Sequence, residues 1–202
     1  MKTLIATPLH TGAADREFII GLLQAHGLYA AWTCLEGQAN ISRARDILAA
    51  QFMASDCTSL VFIDGDVGFA RQDLQWLLES PHAITGGLYQ RKNSSGHWVC
   101  APQPSEAAAT SVPHYRRVQR VGTGFLRIDR PVFEKLMRDP SILSYPLDNN
   151  ALHQFFPSGV LDGHFLSEDY YFCELAARAG FEIHIDTRIR LKHVGRFIYQ
   201  HA

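Results

Sequence analysis

Two aspartates flanking one glycine close the most apolar run of the chain, where Leu60-Val61-Phe62-Ile63 leads directly into Asp64-Gly65-Asp66. On an extended chain residues i and i+2 point to the same side, so the two carboxylates would share one small space. Like charges that close repel, and one would keep its proton unless a cation lies between them. Gly65 removes a side chain and lets the backbone come close to a ligand. Carboxylate oxygens with an incomplete shell suit Mg²⁺ or Mn²⁺ shared with substrate phosphates. Asp-Gly is equally an ordinary turn dipeptide, so the pair alone reads as a turn or as a metal site.

Downstream residues could complete a site. Glu168 and Asp169 follow Ser167 and open a helical pattern. Acids there complement the helix dipole; at the mouth of an aromatic-rich loop the same position suits a general base. His193, in Leu191-Lys192-His193-Val194-Gly195, ends a short strand near the C-terminus. Alone it is one histidine among ten, read more readily as a surface or core residue than as a ligand.

These residues need elements to position them. Residues 3–7 predict a strand closed by Pro8. Residues 13–27 predict a helix with Phe18, Ile19, Leu22 and Leu23 on one face and Gly27 as its C-cap. A strand over 28–34, a helix over 40–56 starting at Asn40 or Ser42, and a strand over 59–63 follow. That rhythm argues for α/β architecture, a mostly parallel central sheet flanked by helices. Next come a short helix over 71–80 and a strand over 82–90 broken by two glycines. The second half is mixed and loop-rich, with long loops over 93–114 and 140–166. Between and after them lie a strand pair broken at Gly122 and Gly124, a helix with Pro131 in its first turn, a helix over 167–180 capped by Ser167 and ended by Gly180, and two short strands.

Composition narrows the class. The chain has 202 residues, 47% apolar and 19% charged, with a formal net charge of −1. This fits one domain over residues 1–202, soluble and ordered, without a global pull toward nucleic acid or acidic lipid. Five arginines between Arg116 and Arg130 leave a local anion-binding surface open beside the bland reading of a solvated face. The four cysteines form no CxxC pair, which disfavours structural zinc and fits reduced thiols in the cytoplasm. No apolar run is long enough to span a bilayer, and the tail Gly195–Ala202 is at most a feeble membrane contact.

In order, the elements around Asp64-Gly65-Asp66, Ile84–Lys92, Val121–Leu136, Ser167–Gly180 and Leu191–Gly195 resemble a small GT-A-fold glycosyltransferase of the bacterial or phage-encoded, family-2-like type, from Thr3 to about Gly195. The resemblance implies a nucleotide-sugar donor, first a UDP-sugar, with Mn²⁺ (or Mg²⁺) as cofactor. Residues 1–92 would bind the donor, and residues 93–202 would bind the acceptor and carry catalysis. Asp66 would hold the metal, Asp64 would reach the metal or the ribose, and His193 would complete the shell. Asp169 would be the base of an inverting transfer, and Glu168 would bind acceptor or sugar hydroxyls. Thr7 and Pro8 fall where the nucleobase is held, Arg43 and Arg45 where the base or diphosphate is approached, and Gly122, Thr123 and Gly124 where a turn passes the donor sugar. Asp46 stands where many relatives have Asn. Trp98, Tyr145, Phe155 and Phe156 offer stacking faces or simply loop anchors. The acceptor is a glycan hydroxyl or, second, a hydroxymethylated DNA base.

Two alternatives compete. A haloacid-dehalogenase-like phosphatase also uses a strand-end Asp-x-Asp, but after its first strand, with Thr or Val where this chain has Gly68. An inactive nucleotide-sugar-binding module would not need the full set Asp64, Asp66, Asp169 and His193.

Overall fold

The computed structural model describes residues 2–92, 97–147, 150–195 and 198–200, so the start of the 93–114 loop and much of the C-terminal tail lie outside the described residues. Strands β1 (Thr3–Leu9), β2 (Ala31–Glu36) and β3 (Ser59–Ile63) alternate with helices α1 (Arg16–Gln24) and α2 (Ile41–Ala54). Then come β4 (Val67–Gly68), α3 (Arg71–Leu78) and β5 (Ile84–Gly86), and later α4 (Arg130–Leu136) and α5 (Glu168–Arg178).

The central sheet has eight strands, in the order β2, β1, β3, Phe125–Asp129, β5, Ile183–Asp186, Tyr115–Val118, Ala108–Ala109. β1, β2, β3, β5 and Ile183–Asp186 run one way, as expected of a mostly parallel sheet. Phe125–Asp129 lies antiparallel between β3 and β5, so both halves of the chain build one sheet. Burial on both faces explains the unbroken apolar run of β3. Leu60 and Phe62 pack toward α2, α4 and α5, whereas Val61 and Ile63 pack toward α1 and α3.

Several elements differ from expectation for identifiable reasons. β1 continues through Pro8 to Leu9, because its pairing with β3 ends at Ala6 and the missing N–H costs no ladder bond on that side. On α1, Phe18 and Leu22 are buried with Gly21, while Ile19 and Leu23 are 38% and 70% exposed. The two predicted neighbours lie too far round the helix to reach the core. Asn40 is the N-cap of α2, its side chain accepting from the Arg43 N–H. Ser167 precedes α5 but makes no side-chain cap, because its hydroxyl donates to the Asp169 carboxylate instead.

The stretch read as irregular, 140–166, contains two hairpins, Ser144–Leu147 with Asn150–His153 and Gly159–Leu161 with His164–Leu166. The second turns on Asp162-Gly163, both at positive φ (50° and 79°), the two-residue turn that Asp-Gly favours. That signal was legible in the sequence. Phe155 and Phe156 are not stacking faces for a ligand. They are buried in the core, with Phe156 stacked on Phe172.

The arginine cluster is structural. Arg127 is buried, donating to the carbonyls of Leu77 and Ser80 and to Asp129. Arg130 donates to the carbonyls of Phe52, Ser55 and Cys57 around the C-terminus of α2, where the dipole favours a cation. Arg117 and Arg120 pair with Glu182 and Glu174. These four cations are therefore matched within the fold and do not form an anion-binding surface.

Two predictions follow from this packing. A Cβ on Gly21 would lie 2.6 Å from the Phe69 carbonyl oxygen, a backbone atom that cannot swing aside. Gly21→Ala should cost about 1–3 kcal/mol by overpacking, a Tm loss of roughly 2–12 °C on thermal denaturation. Asp46 is buried on α2 and accepts from the Phe156 N–H (3.0 Å) and the Tyr145 hydroxyl (3.1 Å). Burial, only partly offset by those bonds, raises its pKa from 3.8 to about 7. Folded chains then bind more protons than unfolded ones between those two values, so stability is highest below the lower one and falls as pH rises to the upper. Asp46→Asn should flatten the dependence of Tm on pH between about 4 and 7 and stabilise the chain most at alkaline pH.

Candidate active site

The end of β3 does not run on as an extended chain. The Val67 N–H donates to the Asp64 carbonyl, closing a turn over residues 64–67, and the Asp64 N–H donates to the Gly124 carbonyl. In this turn Asp64 pairs with Arg45 and Asp66 with Lys92, and both residues line one cavity. Gly65 is needed for packing: a Cβ there would come within 2.4 Å of Leu9 Cδ2. The close approach is by the protein's own Leu9.

Asp64 faces Arg45. The guanidinium donates through Nη2 to both Asp64 oxygens (3.0 and 3.2 Å) and through Nε to Glu168 Oε1 (3.3 Å), and it sits over the Phe62 ring. Its side chain is only 3% exposed, and Nη1 is buried without a partner among the described residues. Burial opposes the Arg45 charge, but Asp64 and Glu168 outweigh it and hold the guanidinium protonated. Burial also raises the pKa of Asp64, with Arg45 acting against the rise. The carboxylate–guanidinium–carboxylate chain thus joins the end of β3, the middle of α2 and the first residue of α5.

Asp169 stands beside Glu168 in the first turn of α5 and accepts from the Ser167 hydroxyl and the Tyr170 N–H. Burial and the neighbouring Glu168 charge raise its pKa. The buried Tyr89 links the two acidic groups: the charges of Asp64 and Asp169 both act on its phenol, whose pKa burial drives up. Tyr89 also accepts from the Gly124 N–H (2.9 Å). A Cβ at Gly122 would lie 2.3 Å from that hydroxyl, and one at Gly124 2.7 Å from it and 3.0 Å from Asp64 Oδ2. The Gly122-Thr123-Gly124 turn is therefore pressed against both Tyr89 and Asp64. Thr123 is buried between the glycines, and its hydroxyl has no partner among the described residues.

Asp66 has a different cation, Lys92. Its carboxylate pairs with the Lys92 ammonium, and His193 Nε2 lies 3.8 Å from Oδ2. β4 pairs with Lys192–Val194, and the Val194 N–H donates to the Asp66 carbonyl, which brings His193 to the motif. His193 Nδ1 donates to the Gln90 carbonyl at 2.7 Å; a carbonyl only accepts, so the Nε2 lone pair is left for a ligand. Burial lowers the pKa of His193 and favours the neutral ring a metal requires.

Among the described residues, no three His, Cys, Asp or Glu side chains are arranged to hold a metal by themselves. Asp66 and His193 offer two donors, one carboxylate and one imidazole. That donor set fits Mn²⁺ completed by phosphate oxygens. Asp64 lines the same cavity as Asp66 and is paired with Arg45.

A cavity of about 500 Å³ opens here, lined by Pro8, His10, Thr11, Ile41, Asp64, Asp66 and Lys92 among others. Pro8 lines it, but Thr7 does not: Thr7 is fully buried and its hydroxyl accepts from the Trp32 indole at 3.0 Å. Arg43 is exposed in the first turn of α2. Sequence reasoning assigned no role to Tyr89, Gln90 or Lys92. Their stretch, Ile84–Lys92, was one of the elements that carry the resemblance, but nothing in it announces contacts that are made only through folding.

No family model matches the sequence, and no curated protein sequence is similar to it. Solved structures share its fold. A197 from STIV is 18% identical, with a TM-score of 0.65 over 100% of this chain and 95% of that one. GalNAc-T7, solved with UDP, GalNAc and Mn²⁺, is 14% identical, with a TM-score of 0.53 over 98% of this chain. The alignment covers 44% of the GalNAc-T7 chain. The chain has the GT-A-type fold of the nucleotide-sugar glycosyltransferases.

Proposed function

We propose that the chain is a metal-dependent glycosyltransferase that moves a sugar from a UDP-sugar to an acceptor hydroxyl with inversion. The observation that carries this reading is the Asp64–Arg45–Glu168 chain, which holds the start of α5, and with it Asp169, against the end of β3. A strand-end carboxylate with a neutral imidazole and an acid of raised pKa at a nearby helix start are what sugar transfer needs, charge for the leaving group and a base for the acceptor.

Asp66 and His193 would hold Mn²⁺, with Mg²⁺ as second choice. Once bound, the ion neutralises charge on the leaving diphosphate. Asp64 already accepts from Arg45 and keeps lone pairs for a ribose hydroxyl or for the ion. Pro8 and the cavity wall take the nucleobase, with Thr7 supporting the wall from beneath through Trp32. Arg43 approaches the diphosphate from the exposed start of α2. Gly122, Thr123 and Gly124 would form the turn that passes the donor sugar, with the Thr123 side chain buried behind it. Asp169 takes the acceptor proton, a contribution of typically about 10²–10⁴-fold. Glu168 orients Arg45 and leaves an oxygen for sugar hydroxyls.

Residues 1–92 would thus serve the donor and 93–202 the acceptor. A glycan acceptor is favoured over a DNA base, because Arg117, Arg120, Arg127 and Arg130 are committed to carboxylates and carbonyls. The four free cysteines fit a cytoplasmic setting. No helix among the described residues is long and apolar enough to cross a membrane.

A thermal-shift screen of nucleotide-sugars with and without Mn²⁺ tests the class and names the donor. Stabilisation by phosphate mimics irrespective of nucleotide would point to a phosphatase instead. Asp169→Asn should lower kcat by about 10²-fold or more and leave donor affinity nearly unchanged; full activity would remove Asp169 as base. In the parent protein the rate should rise with pH and level off, with its midpoint above the ordinary aspartate range, because the base is active only when deprotonated. Asp66→Ala should abolish Mn²⁺-dependent donor binding in calorimetry, and undiminished affinity would end its role as ligand.

A further inference from the structure

Asp66 Oδ2 has two suitors. The Lys92 ammonium is paired with it, and His193 Nε2 faces it at 3.8 Å. The lysine reaches that oxygen along a track across Gly195, where a Cβ would lie 3.0 Å from Lys92 Cδ and 3.4 Å from Cε. The Lys92 charge is felt at the His193 ring. The backbone that bears Lys92 also sets the imidazole, because Gln90, two residues earlier, supplies the carbonyl that accepts from His193 Nδ1.

A divalent ion bound through Asp66 Oδ2 and His193 Nε2 would compete with the ammonium for the carboxylate oxygen it now pairs with. An ammonium and a divalent ion repel strongly at contact distance, the more so in a partly desolvated cleft. The lysine can leave, since its side chain is 35% exposed on a flexible stem. The anionic group this site is read as binding is a diphosphate, and its oxygens would receive the displaced ammonium.

Resting on the glycosyltransferase reading, we infer that Lys92 is a displaceable counter-ion of Asp66: it competes with the divalent cation before the donor arrives and pairs with the donor diphosphate afterwards, so that cation and donor bind cooperatively. The cation alone binds weakly, because it must break the Lys92–Asp66 pair and leave an unmatched ammonium nearby. With the diphosphate present, the ammonium has a new partner and the penalty disappears. Linkage requires the reverse as well, so the cation strengthens donor binding by the same factor.

The test measures Mn²⁺ binding to the full chain from the electron paramagnetic resonance signal of free Mn²⁺, with and without UDP, subtracting Mn²⁺ held by nucleotide in solution. GDP, CDP and dTDP are run in parallel. Lys92→Met should bind Mn²⁺ alone more tightly than the parent by about 5- to 150-fold and should lose most of the enhancement that the diphosphate gives the parent. Lys92→Arg, which keeps the charge, should bind Mn²⁺ alone as weakly as the parent. Equal Mn²⁺ affinity of Lys92→Met and the parent without nucleotide would overturn the inference, and so would an undiminished diphosphate enhancement in Lys92→Met. If the parent binds Mn²⁺ with none of the diphosphates and Asp66→Ala behaves identically, the metal reading of the site falls and the inference with it. Diphosphate-dependent Mn²⁺ binding that is lost in Asp66→Ala but indifferent to Lys92 would leave the reading standing and sink the counter-ion alone.

Discussion

A single buried guanidinium organises the site. Arg45 projects from α2 between the Asp64 carboxylate at the end of β3 and the Glu168 carboxylate at the start of α5. Those positions are far apart in sequence, and only a group with several donors in a rigid plane can serve both at once. The acids at the end of β3 and at the start of α5 would otherwise repel one another in a partly buried space. Breaking such a buried pair from one side costs about 3–5 kcal/mol, because the remaining charge is left uncompensated. The geometry of Asp169 is therefore inherited from Arg45, although the two side chains share no hydrogen bond.

Around this clamp the two aspartates of one motif acquire different chemistry. At the turn over 64–67 Asp64 meets a buried guanidinium on a helix and Asp66 meets a half-exposed lysine. A buried guanidinium held on two sides is not easily displaced, whereas a half-exposed ammonium is. Asp64 is thus held in place by its guanidinium, and the more mobile ion pair is the one at Asp66. The short ladder between β4 and Lys192–Val194 brings the last part of the chain to this position and sets the imidazole beside it. Tyr89 completes the arrangement by wedging its hydroxyl against the Gly122–Gly124 turn.

The fold was legible where a local pattern has one physical cause. The unbroken apolar run at 59–63 reflects burial on both faces of the sheet and matched β3 residue for residue. Asn40 as a cap and Gly180 at positive φ after α5 followed from capping chemistry. Reading failed where the outcome depended on a remote partner. Ile19 and Leu23 look as apolar as Phe18 and Leu22, yet which stripe of α1 is buried was decided by the Phe69 backbone against Gly21. The arginines at 116–130 look like an exposed basic patch, and only the fold turned Arg127 and Arg130 inward onto carbonyls.

The candidate site divides in the same way. Residue types showed which side chains could carry charge at strand ends and helix starts, and the family resemblance grouped Asp64, Asp66, Glu168, Asp169 and His193 as one candidate set. Their pairing was outside the reach of one-dimensional pattern. The sequence showed no protein partner for either aspartate, whereas the fold sets Arg45 against Asp64 and Lys92 against Asp66. Thr7 is buried with its hydroxyl accepting from Trp32, and Lys92, Gln90 and Tyr89 entered the site from an element to whose residues the sequence assigned no role. Which groups can bear charge is a property of the sequence. Which charge neutralises which depends on distances of a few ångströms between residues tens of positions apart, and those distances exist only once the sheet has closed.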